Sequence, residues 1–312
     1  MSETSEPTTD DTGSTAAADA AATDTGTAGT AGPARPARPA RSGAAPEGTP
    51  SLLGLAVARA GIELKQFFRQ RDSVVFTFAF PVILLFIFGS VFSDDIAPGV
   101  SFTQYFTAGM VASGIVLSSF QSLAIGIAVE RDDGSLKRLH GTPMPPAAFF
   151  LGKIGLVLVT ALAQTAILLA IGALLFELDL PTDPDLWLRF AWIFVLGTAA
   201  GTVVGITFSS VPRSSKSAPA VVSPVVIVLQ FISGVFFVFT SLPTWMQQIA
   251  ALFPLKWMCQ GMRSVFLPDS FASQEPAGSW ELGKVALVLA AWCVGGLILC
   301  LLTFRWTDRR DG

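Results

Sequence analysis

The chain has 312 residues, of which 51% are hydrophobic and only 14% charged, and its mean hydropathy is +0.59. Soluble domains carry about a quarter charged residues, so this composition excludes an ordinary soluble fold and makes a bilayer the solvent. A net charge of −3 argues against a nucleic-acid partner, a single histidine (His140) excludes a His-based metal cluster, and three cysteines without CxxC spacing give neither a zinc site nor a disulfide framework.

Residues 1–50 hold no Val, Ile, Leu or aromatic residue and end in an Ala-Arg-Pro run around Arg35, Arg38 and Arg41. Such a stretch cannot bury enough apolar surface to offset its ordering entropy, and it is expected to be a disordered cytoplasmic tail. The transmembrane domain is placed at 51–312. Its first part, 51–71, carries Leu53, Val57, Leu64 and Phe68 at helical spacing, interleaved with Arg59, Glu63, Lys65 and Arg69. That pattern predicts an amphipathic helix lying in the membrane interface.

A crossing helix needs about 20 mainly apolar residues. Runs without charge meet this at 73–93, 103–129, 154–176, 190–212, 217–239 and 285–304, which predicts an all-α integral membrane protein with six transmembrane helices. The flanks assigned to the inside carry Arg59, Lys65, Arg69, Arg71, Arg131, Lys137, Arg138, Lys153, Arg213, Lys216, Arg305, Arg309 and Arg310. Those assigned to the outside carry Arg189, Lys256, Arg263 and Lys284, beside Asp94, Asp95, Glu177, Asp179, Asp183 and Asp185. The bias places both termini in the cytoplasm.

Gly197, Gly201 and Gly205 form a small-residue face for close helix packing, within the chain or between copies. Pro219 and Pro224 invite kinks in the fifth span. The stretch 242–267 is too apolar for a free loop and too interrupted for a crossing. It is expected to form one or two short helices that re-enter the outer leaflet or cap the bundle, with Trp245 and Trp257 at interfacial depth.

No energy source is legible. Gly278 to Val285 approximates a phosphate-binding loop but lacks the Ser/Thr that would ligate magnesium, so no nucleotide site and no cofactor is expected. The spans hold no ionisable residue away from their ends, which argues against a proton antiporter and an intramembrane protease. Their polar interior residues are neutral, and Gln121, Gln164 and Gln230 are candidates for a substrate path, although intramembrane Gln also bonds helices together.

The densest charge cluster is 130–143, between the second and third spans. Asp132 and Asp133 are placed to cap a short helix beginning near Ser135. Leu136 and Leu139 share a face of it, and Pro143, Pro145 and Pro146 end it.

Glu130, Gly134, Leu136, Leu139, Thr142 and Pro143, followed by Gly152-Lys153, Ser233-Gly234, Leu242-Pro243-x-Trp245 and Phe253-Pro254-Leu255, resemble the permease subunits of ABC-2 type exporters. The resemblance covers about 55–310 and is most like the daunorubicin-resistance (DrrB-like) drug-export branch, with nodulation-factor exporters as near relatives. It implies a half-transporter in the plasma membrane, not itself an enzyme, paired with a second permease copy and driven by two ATP-binding subunits. Glu130, Arg131, Asp133, Gly134, Leu136, Leu139, Thr142 and Pro143 would couple to the ATPase through a coupling helix, with Leu136 and Leu139 as an apolar plug for it. The 51–71 helix would be the elbow, and 242–267 would be the outer re-entrant helices. The implied cargo is a hydrophobic or amphipathic drug-like molecule; the alternative is a polysaccharide or lipid-linked glycan.

Overall fold

A computed structural model describes residues 51–92, 95–141, 144–176 and 178–303. The 1–50 tail and the predicted Asp94, Thr142, Pro143, Glu177, Arg305, Arg309 and Arg310 lie outside them. Helix α1 (Leu52–Arg69) starts where the Ser51 hydroxyl accepts the Gly54 N–H at 3.1 Å, a side-chain N-cap. Helix α2 (Arg71–Val91) follows at once. A small hairpin, β1 (Asp95–Ala97) and β2 (Val100–Ser101), then turns the chain into α3 (Phe102–Val116). Sequence periodicity missed this hairpin because Ile96, Ala97 and Val100 extend an uncharged run that reads equally well as helix.

α3 continues through a π-helical turn, Leu117–Gln121, into α4 (Ser122–Asp132), making one 31-residue rod. The rod reaches three residues beyond the expected end, so Glu130 and Arg131 belong to its last turn and not to a loop. Short α5 (Ser135–His140) precedes α6 (Pro146–Leu175) and α7 (Pro184–Phe208). α8 (Ala218–Ile232), α9 (Thr244–Ala250), α10 (Pro254–Phe266) and α11 (Leu282–Thr303) complete the order.

Among the described residues, five helices are long and apolar enough to cross a membrane: α2, the α3–α4 rod, α6, α7 and α11. The expected fifth span, 217–239, is helical over only part of its length. α8 stops at Ile232 after 15 residues, about 22 Å of rise, short of the roughly 30 Å hydrocarbon core. From Ser233 the chain continues along α3 without α-helix: Val235 lies against Gly109, the Tyr105 hydroxyl accepts the Phe239 N–H at 3.0 Å, and the same hydroxyl donates to the Phe237 carbonyl oxygen at 3.4 Å.

Two helices are buried on every side. In α3 all residues from Tyr105 to Val116 are buried, and in α10 all from Leu255 to Phe266. An all-round buried helix marks the core. The predicted glycine face of α7 packs against this core within the chain. A Cβ on Gly205 would lie 2.8 Å from the carbonyl oxygens of both Ser119 and Phe120, so only glycine lets α7 meet the backbone of the π turn.

The 242–267 stretch forms α9 and α10, the latter packed against α3, α7 and α11. Trp245 is exposed, whereas Trp257 is buried and its indole N–H donates to the Ala251 carbonyl at 2.8 Å. Lys256 and Arg263, read from sequence as outer-loop charges, are buried as well. The Arg263 Nε donates to the Glu275 carboxylate at 2.6 Å, and its guanidinium lies 5.0 Å from the Tyr105 ring centroid. The Lys256 ammonium sits 3.6 Å from the Trp257 ring and donates to Gln260 Oε1 at 2.5 Å.

Candidate functional site

The end of the bundle that holds α5 is built from the α3–α4 rod outward. Its last residues are Glu130, Arg131 and Asp132, with Asp133 as the C-cap, and successive residues on a helix point about 100° apart. Each of these four charges reaches a different partner.

Glu130 turns toward α1 and α6. Its Oε1 accepts from Lys153 Nζ at 2.5 Å and lies 4.0 Å from Arg59, while the same ammonium donates to Glu63 Oε2 at 2.8 Å. Arg59 pairs with Glu63 one turn along α1. Two cations and two carboxylates thus balance, with Lys153 and Glu63 buried and Glu130 partly so. The Phe149 ring lies beneath both cations, 5.4 and 5.5 Å from them. The two helices come this close because position 152 is glycine: a Cβ there would meet the Arg59 side chain and the Ala60 nitrogen at 3.3 Å. The predicted apolar stripe of α1 faces away, with Leu53, Val57 and Phe68 exposed. Arg59 and Glu63 meet the protein while the apolar residues, with Lys65 and Arg69, meet the surroundings, so apolar burial does not drive this packing as it would in a soluble amphipathic helix.

Arg131 reaches the end of α7. Its two terminal nitrogens donate to the Ser209 carbonyl oxygen at 2.7 Å and to Ser209 Oγ at 3.1 Å, where a cation suits the negative end of the helix dipole. Asp132 does not cap α5 as expected. One of its oxygens accepts both the Ser215 N–H at 2.9 Å and the Ser215 hydroxyl at 2.6 Å, just before α8. Asp133 does begin α5: its Oδ1 accepts the Ser135 N–H at 2.8 Å, across Gly134, whose φ of 73° is the left-handed conformation glycine tolerates best.

Leu136 and Leu139 do share a face, but it turns inward. Leu136 is 1% exposed and packs with Leu123, Ile127, Phe149 and Ile206, with Leu139 and Met144 at the edge of the cluster. The plug expected to enter another subunit is instead the foot that seats α5 on its own bundle. Lys137 and Arg138 occupy the exposed face.

A second feature is a cleft of about 550 Å³ between α2, the π turn and α8. Phe76, Phe80, Phe88, Phe231, Phe236 and Phe237 form most of its wall, with Gln121, Ser122, Ser223, Thr77 and Gln230 as polar points and no charged residue among the described residues lining it. Two of the three predicted glutamines therefore line it, and Gln230 also donates to Ser113 Oγ. Gln164 does not: it is buried behind the rod, where its Oε1 accepts from Ser118 at 3.4 Å. The π turn that shapes this wall lacks the regular ladder, and the Ser122 hydroxyl takes the Leu117 carbonyl five residues back at 3.0 Å.

These features define a multi-pass helical membrane protein with an uncharged lateral cleft and a charged hub at one end. The family model described as ABC-2 type transporter matches residues 58–267, two thirds of the chain, and the protein belongs to that family. It is similar to the inner membrane transport permease YadH of Escherichia coli (strain K12), 24% identical over 68% of this chain and 83% of YadH. It is also similar to the E. coli (strain K12) protein named "Probable multidrug ABC transporter permease YbhR", 21% identical over 55% of this chain and 46% of that protein. A transport permease role follows, and the family implies an ATP-binding partner subunit.

Proposed function

We propose that this chain is the membrane half of an ATP-driven exporter of uncharged, hydrophobic or amphipathic small molecules, in which residues 130–141 dock on the ATPase and pass its motion to the bundle. The observation that carries the reading is the hub: four consecutive charges at the end of the rod tie it to α1, α6, α7 and the start of α8 and begin α5, while Lys137 and Arg138 of α5 face outward. A segment bound to so many elements moves them together when something pushes it.

In this reading α8 and the irregular 233–239 that continues it along α3 together make the sixth crossing, α1 is the elbow helix, and α9 and α10 close the outer side. The hub end and both termini face the cytoplasm, in keeping with Arg131, Lys137, Arg138, Arg213 and Lys216 at that end. Two copies pair, and two ATP-binding subunits dock. The cleft is the cargo path. Its phenyl walls and lack of charge favour an apolar cargo over a glycan, in keeping with the drug-export branch and with the name of YbhR.

The inward Leu136 changes how docking is tested, since Leu136→Asp would strike the chain's own core. The exposed pair is the better target. Lys137→Glu with Arg138→Glu should lower copurification of the ATPase about tenfold and abolish ATP-dependent uptake into inverted vesicles, because like-for-opposite charge at a docking face opposes association. Undiminished copurification and uptake would remove α5 from the docking surface.

A further inference from the structure

Arg131 and Asp132 are adjacent, carry opposite charge, and hold the two ends of one connection, residues 209–217 between α7 and α8. The first end, Ser209, belongs to α7, which is anchored along its length by α10, α11 and the π turn. The second end, Ser215, belongs to a stiff turn. Ser214 and Ser217 bond each other reciprocally, the Ser214 N–H to Ser217 Oγ at 3.1 Å and the Ser217 N–H to Ser214 Oγ at 3.3 Å. The Val221 N–H donates to the Ser217 carbonyl at 3.1 Å, so the turn runs directly into α8. A displacement of Ser215 is therefore delivered to α8 and not absorbed in the loop.

α8 is one wall of the cleft, through Ser223, Val226, Ile227, Gln230 and Phe231. Ser223 lies eight residues beyond Ser215, about 12 Å along a helix. We infer that the Asp132–Ser215 pair is the strut through which the hub moves the cleft wall, with Ser215 a positioning residue for transport. This inference rests on the coupling role proposed above, and it separates two jobs within the hub. The Glu130 cluster ties α1 and α6 to the rod in a buried setting. The Asp132 strut is exposed, and an exposed pair of this kind adds little to stability. Its geometry is specific nonetheless: one carboxylate oxygen takes both the backbone and the side-chain donor of a single serine, which fixes that turn in position and direction.

The test uses the permease copurified with its ATPase and reconstituted in vesicles. Asp132→Ala should lower ATP-dependent transport at least about tenfold, since it removes both hydrogen bonds to the carboxylate and one such charged bond alone is worth about that much. Ser215→Ala, which keeps the backbone donor, should lose less, and Ser215→Thr should restore transport. The double variant should lose no more than Asp132→Ala alone, since both remove one link. Melting temperature should stay within about 2 °C, and ATPase should still copurify. A fluorophore on Ile227→Cys, in a background lacking Cys259, Cys293 and Cys300, should respond to ATP, and Asp132→Ala should abolish that response.

Undiminished transport in Asp132→Ala overturns the strut, as do losses that multiply in the double variant. Loss of ATPase copurification in Asp132→Ala also overturns it, because Asp132 would then be a docking contact. If instead the unmodified complex shows no ATP-dependent transport, the failure lies in the coupling reading itself.

Discussion

Replacing Lys153 by methionine removes the ammonium that two carboxylates share while keeping the aliphatic stem. Lys153 and Glu63 are both 4% exposed at the side chain, and Glu130 19%. Breaking a buried ion pair from one side costs about 3–5 kcal/mol, because the remaining charge stays buried without its partner. Glu63 keeps Arg59 beside it, and Glu130 has some access to water, so the low end, about 3 kcal/mol, applies. For a chain of this size each kcal/mol moves the melting temperature by about 2–4 °C, so a fall of about 6–12 °C is expected in detergent-solubilised protein.

The companion variant tells charge from packing. Lys153→Met leaves Arg59 against two carboxylates, a net charge of −1 in the cluster. Adding Glu130→Gln restores neutrality and should recover at least half of the lost melting temperature. Loss of packing alone would not be repaired by a change that adds no atoms. A Lys153→Met melting temperature within about 2 °C of the unmodified protein would refute the reasoning, as would a double variant less stable than the single.

Three further outcomes are expected. Gly205→Ala places a methyl 2.8 Å from two backbone carbonyl oxygens and should cost about 1–3 kcal/mol, whereas Gly295→Ala, with nothing within 4 Å, should not destabilise; thermal melts of the two decide it. Arg263→Leu should lower the melting temperature by leaving the Glu275 carboxylate buried alone, and Arg263→Leu with Glu275→Leu should restore it. Burial pulls the Lys256 ammonium down to about 8, so between about pH 8 and 10 the unfolded chain binds more protons there and stability should rise with pH; burial pushes the Cys259 thiol up to about 12, which acts in the opposite direction above about pH 9. The stability difference between the unmodified protein and Lys256→Met, followed by melts across this range, isolates the rising component. A difference that is flat or falls with pH would contradict it.

The long spans were legible because lipid-length apolar runs leave few alternatives. The charged segment was legible because any such cluster stands out in a chain this apolar. What could not be read was the direction in which the charges point. In α1 the stripe of Leu53, Val57 and Phe68 marks a helix with two faces, but only the fold shows that Arg59 and Glu63 face inward. Glu63 and Lys153 are 90 residues apart, and Asp132 and Ser215 are 83 apart, with no local spacing to link either pair. Leu136 and Leu139 were correctly placed on one face, yet helical spacing does not tell whether that face meets the chain's own core or another subunit. The end of α8 is local, at Ser233 and the left-handed Gly234, whereas the path beyond it is held by the Tyr105 hydroxyl, which is 134 residues away from Phe239 in the chain and has no local signal.

The distribution of polar groups also argues for where this protein can change shape. Its buried ion pairs lie at the two ends: Lys153 with Glu63 and Glu130 near α5, and Arg263 with Glu275 beside α10. Separating either would strand a buried charge, so those assemblies resist being pulled apart. Between them, the cleft is joined by neutral contacts, phenyl rings and single amides such as Gln230 on Ser113. Phenyl faces can slide past one another without leaving a charge unpaired, and a neutral hydrogen bond is worth only about 1 kcal/mol net. Under the coupling role proposed above, force applied at the stiff hub would be released where resistance is least, along α8 and α2. That is the same surface an uncharged cargo would need to part in order to enter from, or leave toward, the lipid.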